Sequence, residues 1–272
     1  MTAPIAPQHA PVILQSRLPV LPWMTPALWR LPGIQPLDPD AWIEVDDAYA
    51  AQIGEKARLI AAVPAKVHAM TDASLPAARE VLDLVLQRLS VKPGFQVTPR
   101  SVTRPDGVEV TLDRDAPLLT LGALVQEDIC LLQKDGDAPD AEHVLTAALL
   151  CFPASWTLSE KIGRPLTAIH IPVQPYDDQM ARRVQRLFDA IRPEQPLWRM
   201  NALLYADPTL HQPKNEAAPR QRIGVRPYLR SEKQSLLRLP VSGAVVFSIH
   251  TYVVPASTLT TAEHDALIAA GH

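Results

Sequence analysis

The chain has 272 residues, 47% of them apolar, and a formal net charge of −3. That length supports a substantial core in one large domain or two small ones, and the near-neutral charge gives no general attraction to nucleic acid or to an anionic membrane. No apolar run is long enough to span a bilayer, and the N-terminus lacks a basic segment followed by a continuous apolar one, so no membrane helix and no signal peptide are expected and a cytoplasmic location follows by default.

Proline is the outlier, with 28 residues, many of them in the first 40 positions and between 193 and 227. Proline fixes φ and removes a donor, so these stretches predict extended arms and loops. Residues 1–29 read as such an arm. Trp23, Leu28, Trp29 and Leu31 predict that it packs onto the body. The stretch 37–63 predicts a helix, with Asp38 or Asp40 as cap, Pro39 near the first turn and Trp42, Val45, Tyr49, Ile53 and Ala57 recurring at helical spacing. Pro64 stops it. A second amphipathic helix follows over 75–91, with Val81, Leu82, Val85 and Leu89 inward. Residues 96–113 read as a β-hairpin turning at Pro105-Asp106-Gly107.

The centre of the chain is rich in strands. A short helix is expected near 118–127, then two apolar strands, "DICLLQKD" and "HVLTAALLCFP", joined by the turn-like "GDAPDAE". "SEKIG" is a helical turn ending at Gly163. Residues 177–193 form a helix, with Val184, Leu187, Phe188 and Ile191 on its buried face. "VRPYLRSEKQSLLRLP" precedes a strong strand, "GAVVFSIHTYVVP", and "TAEHDALIAAG" closes the chain as a helix. Early helices and later paired strands predict an α+β domain with an antiparallel sheet. There is no repeat, low-complexity tract or convincing internal boundary.

Several chemistries have no motif here. No glycine-rich phosphate loop, G-x-S-x-G elbow or H-E-x-x-H occurs. Two cysteines, Cys130 and Cys151, sit in apolar runs and read as buried thiols; they cannot frame an iron–sulfur cluster or a structural zinc site.

Three constellations remain. Of eight histidines, His9, His264 and His272 lie in termini, and His68 sits near a helix end and is expected to be exposed. His143, after Glu142 at a strand start, reads as surface, and His211 as a loop residue. His250 alternates with apolar neighbours on a strand and faces either side. His170, in "LTAIHIPVQPYDD", stands in an apolar, strand-like run with Pro172 and Pro175 close behind. The residues alone favour a structural role for it and leave a metal ligand open. The second constellation is Arg226, Arg230, Glu232, Lys233 and Arg238. On an alternating strand Arg230 and Glu232 share a face and Lys233 takes the other. An edge strand with solvated charges competes with an anion clamp whose Glu232 binds an amine or relays a proton. The third is Trp156, a core residue or the wall of a pocket for a flat ligand, with Lys161 and Arg164 nearby.

Four stretches together resemble one family: "LVQEDICLLQKDG" at 124–136, "LTAALLCFPASWTLSEKIGRPLTAIHIPV" at 145–173, "LWRMN" at 197–201 and "LRSEKQSLLRLPVSGAVVFSIHTYV" at 229–253. With "GIQPLDPDAWIEVDDAYAAQI" near the start, the resemblance covers roughly residues 30–255, followed by a C-terminal helix in 256–272. The family is that of the heme-dependent oxidative N-demethylase alpha subunit. The resemblance implies a PAS-like sheet elaborated with helices and heme b bound through a histidine. It also implies dioxygen and a small amine as substrates, with electrons from flavin and iron–sulfur partner subunits in a hetero-oligomer. The family's I-H-x-P-V-P-G-Y falls on Ile169, His170, Pro172, Val173 and Tyr176 and breaks at Gln174 and Pro175. Its W-R-x-N-W becomes Trp198, Arg199, Asn201 and Ala202, and its E-R-Q-T-L becomes Glu232, Lys233, Gln234, Ser235 and Leu236. The resemblance makes His170 the expected axial ligand, with His250 second and His143 third. Glu232 becomes the distal acid or amine-binding carboxylate, Arg230 and Arg238 the propionate or partner contacts, and Trp156 a cofactor wall. A non-catalytic heme sensor or carrier and a cofactor-free interaction subunit share the same scaffold.

Overall fold

The computed structural model describes residues 10–30, 32–134, 136, 138, 141–170, 178–215 and 224–271, without the side chains of His170 and residues 178–182. The chain begins with the arm, which carries a 3₁₀ turn at Pro22–Met24 and a one-turn helix α1 (Pro26–Trp29). Then come β1 (Gln35–Pro36), α2 (Tyr49–Ala62), α3 (Pro64–Val67), β2 (His68–Met70) and α4 (Leu75–Leu89). Three short strands, β3 (Gln96–Val97), β4 (Ser101–Thr103) and β5 (Glu109–Thr111), precede α5 (Pro117–Leu124). The main strands follow: β6 (Asp128–Lys134) and β7 (His143–Leu149), then α6 (Leu158–Lys161), α7 (Leu166–His170) and α8 (Asp178–Ala190). Next are β8 (Leu197–Tyr205), β9 (Tyr228–Arg238), β10 (Val245–Pro255) and α9 (Thr261–Ala269).

Seven strands form one antiparallel sheet in the order β1-β8-β9-β10-β6-β7-β2. The α+β class and antiparallel sheet expected from the sequence are therefore present. Side chains alternate between two faces. Cross-strand register puts Arg199, Gln234 and Ile249 in one row of one face, and Met200, Lys233 and His250 in one row of the other. The first face is covered by α6–α8. There Cys130, Leu145, Leu236 and Ile249 of the sheet pack with Leu158, Leu166 and Phe188. The second face holds the larger core. Leu131, Leu237 and Val246 meet Ile53 and Leu59 of α2, Val81, Leu82, Val85 and Leu89 of α4, and Leu121 of α5. All four predicted inward residues of α4 are fully buried. Beyond β9 this face receives the arm and α9, through Trp23, Met200, Tyr252 and Leu267.

The arm is pinned as its tryptophans predict. Trp23 Nε1 donates to the Glu263 carbonyl of α9 at 3.0 Å, and Gln15 exchanges two bonds with Val253 of β10, at 2.9 and 2.8 Å. At Gly122 of α5 an added Cβ would lie 2.4 Å from Leu149 Cδ2, so glycine permits the helix to sit directly on β7. Both cysteines are buried free thiols, Cys130 in the cluster beneath α6–α8 and Cys151 in the larger core.

Five expectations need correcting. The first long helix starts at Tyr49, not near Asp40. Asp38 caps only a 3₁₀ turn, and Val45 and Ala57 are exposed. The apolar spacing of Trp42, Val45, Tyr49, Ile53 and Ala57 misled the boundary, because the buried face of α2 carries Gln52, Glu55 and Lys56 as well as Ile53. The expected hairpin is a three-stranded sheet, β3-β4-β5. His68 lies half-buried on β2. The run around His170 is the helix α7, not a strand. Finally, β9 is an interior strand between β8 and β10, so its charges are buried rather than solvated.

Candidate functional site

Two motifs far apart in sequence meet on the α7 face. Register pairs Arg199 with Gln234 and Asn201 with Glu232. The Glu232 backbone N–H donates to Asn201 Oδ1 at 3.0 Å. Asn201 Nδ2 and Gln234 Nε2 donate to Glu232 Oε2 at 3.2 and 3.0 Å. Arg230 Nη2 stands 3.5 Å from Glu232 Oε1. Three neighbours thus hold the Glu232 carboxylate in one orientation, with only 8% of the residue exposed. Arg199 makes no hydrogen bond or ion pair among the described residues, and its Nε is buried without a partner. Burial lowers its pKa, partly offset by the charge of Glu232.

The remaining candidates fall into place around this patch. Arg230 is 2% exposed and donates to the carbonyls of Leu210 and Phe152 at 3.0 and 2.6 Å. Arg238 donates to the carbonyls of Ile191, Gly243 and Phe188 at 2.7, 2.6 and 2.5 Å, joining α8 to the β9–β10 turn. Both arginines expected to clamp an anion are therefore engaged chiefly with backbone. Arg230 Nε is also buried without a partner among the described residues, but Arg199, matched only through the motif, is the guanidinium of this patch that makes no hydrogen bond among them. Its signal was the W-R-x-N spacing, which puts Arg199 and Asn201 on one face of a strand.

Trp156 packs half-buried against the α7-face cluster, as does Ile169. It follows Ser155, whose φ of 65° turns the chain while Ser155 N–H donates to the Gln212 carbonyl at 3.0 Å. Helix α7 is fixed at both ends. Leu145 of β7 accepts from Gly163 at 2.8 Å and donates to Arg164 at 3.1 Å, and Lys161 Nζ donates to the Ile169 carbonyl at 2.5 Å. Gly163, at φ 75°, makes the turn between α6 and α7. His170 is the last residue of α7. Its side chain and the motif positions Pro172, Val173, Gln174, Pro175 and Tyr176 lie outside the described residues.

The other ranked histidines are both buried. His143 was read as surface but is fully enclosed on β7. Gln185 Nε2 donates to its Nδ1 at 3.2 Å, which leaves the proton on Nε2, and that atom has no partner among the described residues. Burial lowers its pKa, against the opposing charge of Asp189. His250 is on the opposite face from Glu232. Its Nδ1 meets Glu127 Oε1 at 3.0 Å and its Nε2 meets Asp46 Oδ2 at 3.1 Å. Burial pushes its pKa down, and the bonds to Asp46 and Glu127 more than reverse this, raising it from 6.5 to about 9. An imidazolium with both nitrogens on carboxylates has no lone pair for a metal, which removes His250 as the second choice of ligand.

This buried network has its own order. Lys233 donates to Glu44, and the Tyr252 hydroxyl donates to the same carboxylate. Gln126 Nε2 donates to Asp46 at 2.7 Å and Gln52 at 3.0 Å. Nearby, fully buried Lys56 pairs with Asp128 at 3.2 Å and donates to the carbonyls of Val125, Gln126 and Glu127. It is an unusually polar core for a sheet face. Among the described residues no three His, Cys, Asp or Glu side chains converge to hold a bare metal ion, and no helix is long and apolar enough to cross a membrane.

A helix-covered antiparallel sheet with an oriented carboxylate and, among the described residues, an unpaired guanidinium on its covered face defines an α+β domain built around a polar site. The chain belongs to the family described as haem-dependent oxidative N-demethylase, alpha subunit-like, whose model matches residues 33–270. Relative to the motifs given above, the polar residues that match (Arg199, Asn201, Glu232 and Gln234) lie on the α7 face. The departures Ala202, Lys233 and Ser235 lie on the other.

Proposed function

We propose that the chain is the heme b-binding oxygenase subunit of a multi-subunit system that oxidatively N-demethylates a small amine, with dioxygen as oxidant and flavin and iron–sulfur partner proteins as electron source. The observation that carries this reading is the meeting of Arg199, Asn201, Glu232 and Gln234 on the face that α7 covers. The central strand order β8-β9-β10-β6-β7, with α6–α8 between β7 and β8, supports a PAS-like architecture.

Two features of the residues present support a heme: the cluster beneath α6–α8 around Leu145, Leu236, Ile249 and Trp156 is apolar, and Arg199 Nε is buried without a partner among the described residues. A guanidinium suits a propionate. His170 closes the helix that packs on this cluster and is the proposed axial ligand; a bound heme would supply the redox-active iron. Glu232 would accept a hydrogen bond from the amine N–H and favour its cationic form, while Asn201 and Gln234 fix the carboxylate's orientation. The apolar cluster around it excludes bulk water and strengthens that contact.

The test is reconstitution. Purified chain supplied with heme should develop a Soret band, His170→Ala should abolish or shift it, and methylated amines with a reductant system should yield formaldehyde. Absence of a Soret band overturns the reading. An unchanged band in His170→Ala moves the ligand to His143, the third-ranked histidine. A band without formaldehyde from any amine favours the sensor or carrier.

A further inference from the structure

The face opposite Glu232 carries a cavity of about 340 Å3 that the site above does not use. Its walls are apolar: Pro19 and Val20 of the arm, Leu37, and Trp198 and Met200 of β8. Its floor is polar but internally satisfied. Glu44 accepts from Lys233 and Tyr252, Lys233 also donates to the Ala41 carbonyl, and the Lys233 ammonium lies 5.5 Å from the Trp198 ring centroid. The positive charge on the floor is therefore already matched by Glu44.

The mouth differs. Asp38 lines it, is exposed, and takes one backbone N–H from Asp40 at 3.0 Å. Residues 38–47 contain Asp38, Asp40, Glu44, Asp46 and Asp47 and no lysine or arginine. Asp40 faces Arg88 at 3.3 Å, Glu44 faces Lys233 and Asp46 faces His250. Asp38 has no ion pair among the described residues, so of the charged lining residues Asp38, Glu44 and Lys233 one negative charge is left over. The volume falls at the lower end of small-molecule sites, about 300–1,000 Å3. Apolar walls, an indole and an uncompensated carboxylate at the rim are complementary to one kind of molecule.

We propose that this cavity binds a small amphiphilic organic cation, with its apolar body against Trp198 and Met200 and its ammonium at Asp38. The site is separate from the proposed heme and amine site, because Trp198 and Arg199 are adjacent on β8 and point to opposite faces. Binding is therefore expected with or without heme.

Titration calorimetry on the full chain with 2-phenylethylammonium, phenylacetate and 2-phenylethanol tests it. The cation should bind more tightly than the other two. Asp38→Asn should weaken it about fivefold, the scale of one exposed ion pair. Val20→Trp, which fills the cavity from the arm, should abolish binding with the circular dichroism spectrum unchanged. Glu232→Gln should leave binding intact. The proposal is overturned if none of the three binds, or if the anion or the alcohol binds as well as the cation. It also fails if Asp38→Asn has no effect, or if Glu232→Gln rather than Val20→Trp removes binding, which would place the cation in the substrate site.

Discussion

Asn201 and Glu232 bond to each other twice across the β8–β9 pair, once through the Glu232 backbone N–H and once through its carboxylate. This reciprocal pair fixes the proposed amine-binding group to a rigid sheet rather than to a loop. Glu232→Gln should lower formaldehyde release by roughly 10²-fold, the scale of one acid–base or ionic contact at a reacting group, with the Soret band retained. Asn201→Ala should cost about tenfold, because it frees the carboxylate without removing it. Steady-state assays beside absorbance spectra separate these outcomes from loss of heme.

Arg199 should behave in opposite ways with and without heme. Its buried Nε lacks a partner among the described residues, so Arg199→Met should raise the stability of heme-free protein by about 1 kcal/mol, the low end of the cost of an unpaired buried polar group. The same change should weaken heme binding about tenfold, as for loss of one charge-assisted bond. Arg238→Ala should do neither. Its three carbonyl contacts hold α8 to the sheet, so the expected result is faster hydrogen exchange in α8 with heme affinity preserved.

The His250 network predicts a pH dependence. Its folded pKa is about 9 against 6.5 for the free side chain. The charged imidazolium therefore contributes fully below pH 6.5, and its contribution falls as pH rises through about 9, to a total on the order of 3 kcal/mol. Burial works against ionisation of Asp46, but its bonds to His250, Gln126 and Gln15 leave its pKa below the usual 3.8. Its contribution is present above that value and lost on further acidification. Urea unfolding between pH 6 and 10 should show the alkaline loss, and His250→Gln should flatten it.

Gly122→Ala is expected to destabilise the fold by about 1–3 kcal/mol, because the new methyl meets Leu149 of β7 in a full core. Thermal unfolding measures it, and no direct effect on heme affinity is expected.

Amphipathic periodicity made the buried face of α4 legible, since every predicted inward position is fully buried, though the helix ends at Leu89 rather than at Val91. It misplaced the start of α2, where Gln52 and Lys56 occupy the buried face to complete a network that periodicity does not register. Charge misled the reading of β9. Arg230, Glu232 and Lys233 look solvated in sequence, yet each is bonded to groups that are distant in the chain. The candidate site was half visible. Alternation put Arg230 with Glu232, but only the register of β8 against β9 brings Arg199 and Asn201 beside them.

The two thiols have a practical consequence. Cys130 lies in the cluster under α6–α8 and Cys151 in the core against α2, α4 and α5. Burial raises both thiols far above their ordinary range, so neither reacts until its own layer opens. Their alkylation rates are two separate clocks. A faster clock at Cys130 would measure how often the helical cover lifts from the sheet, and Cys151 would time the unfolding of the whole domain.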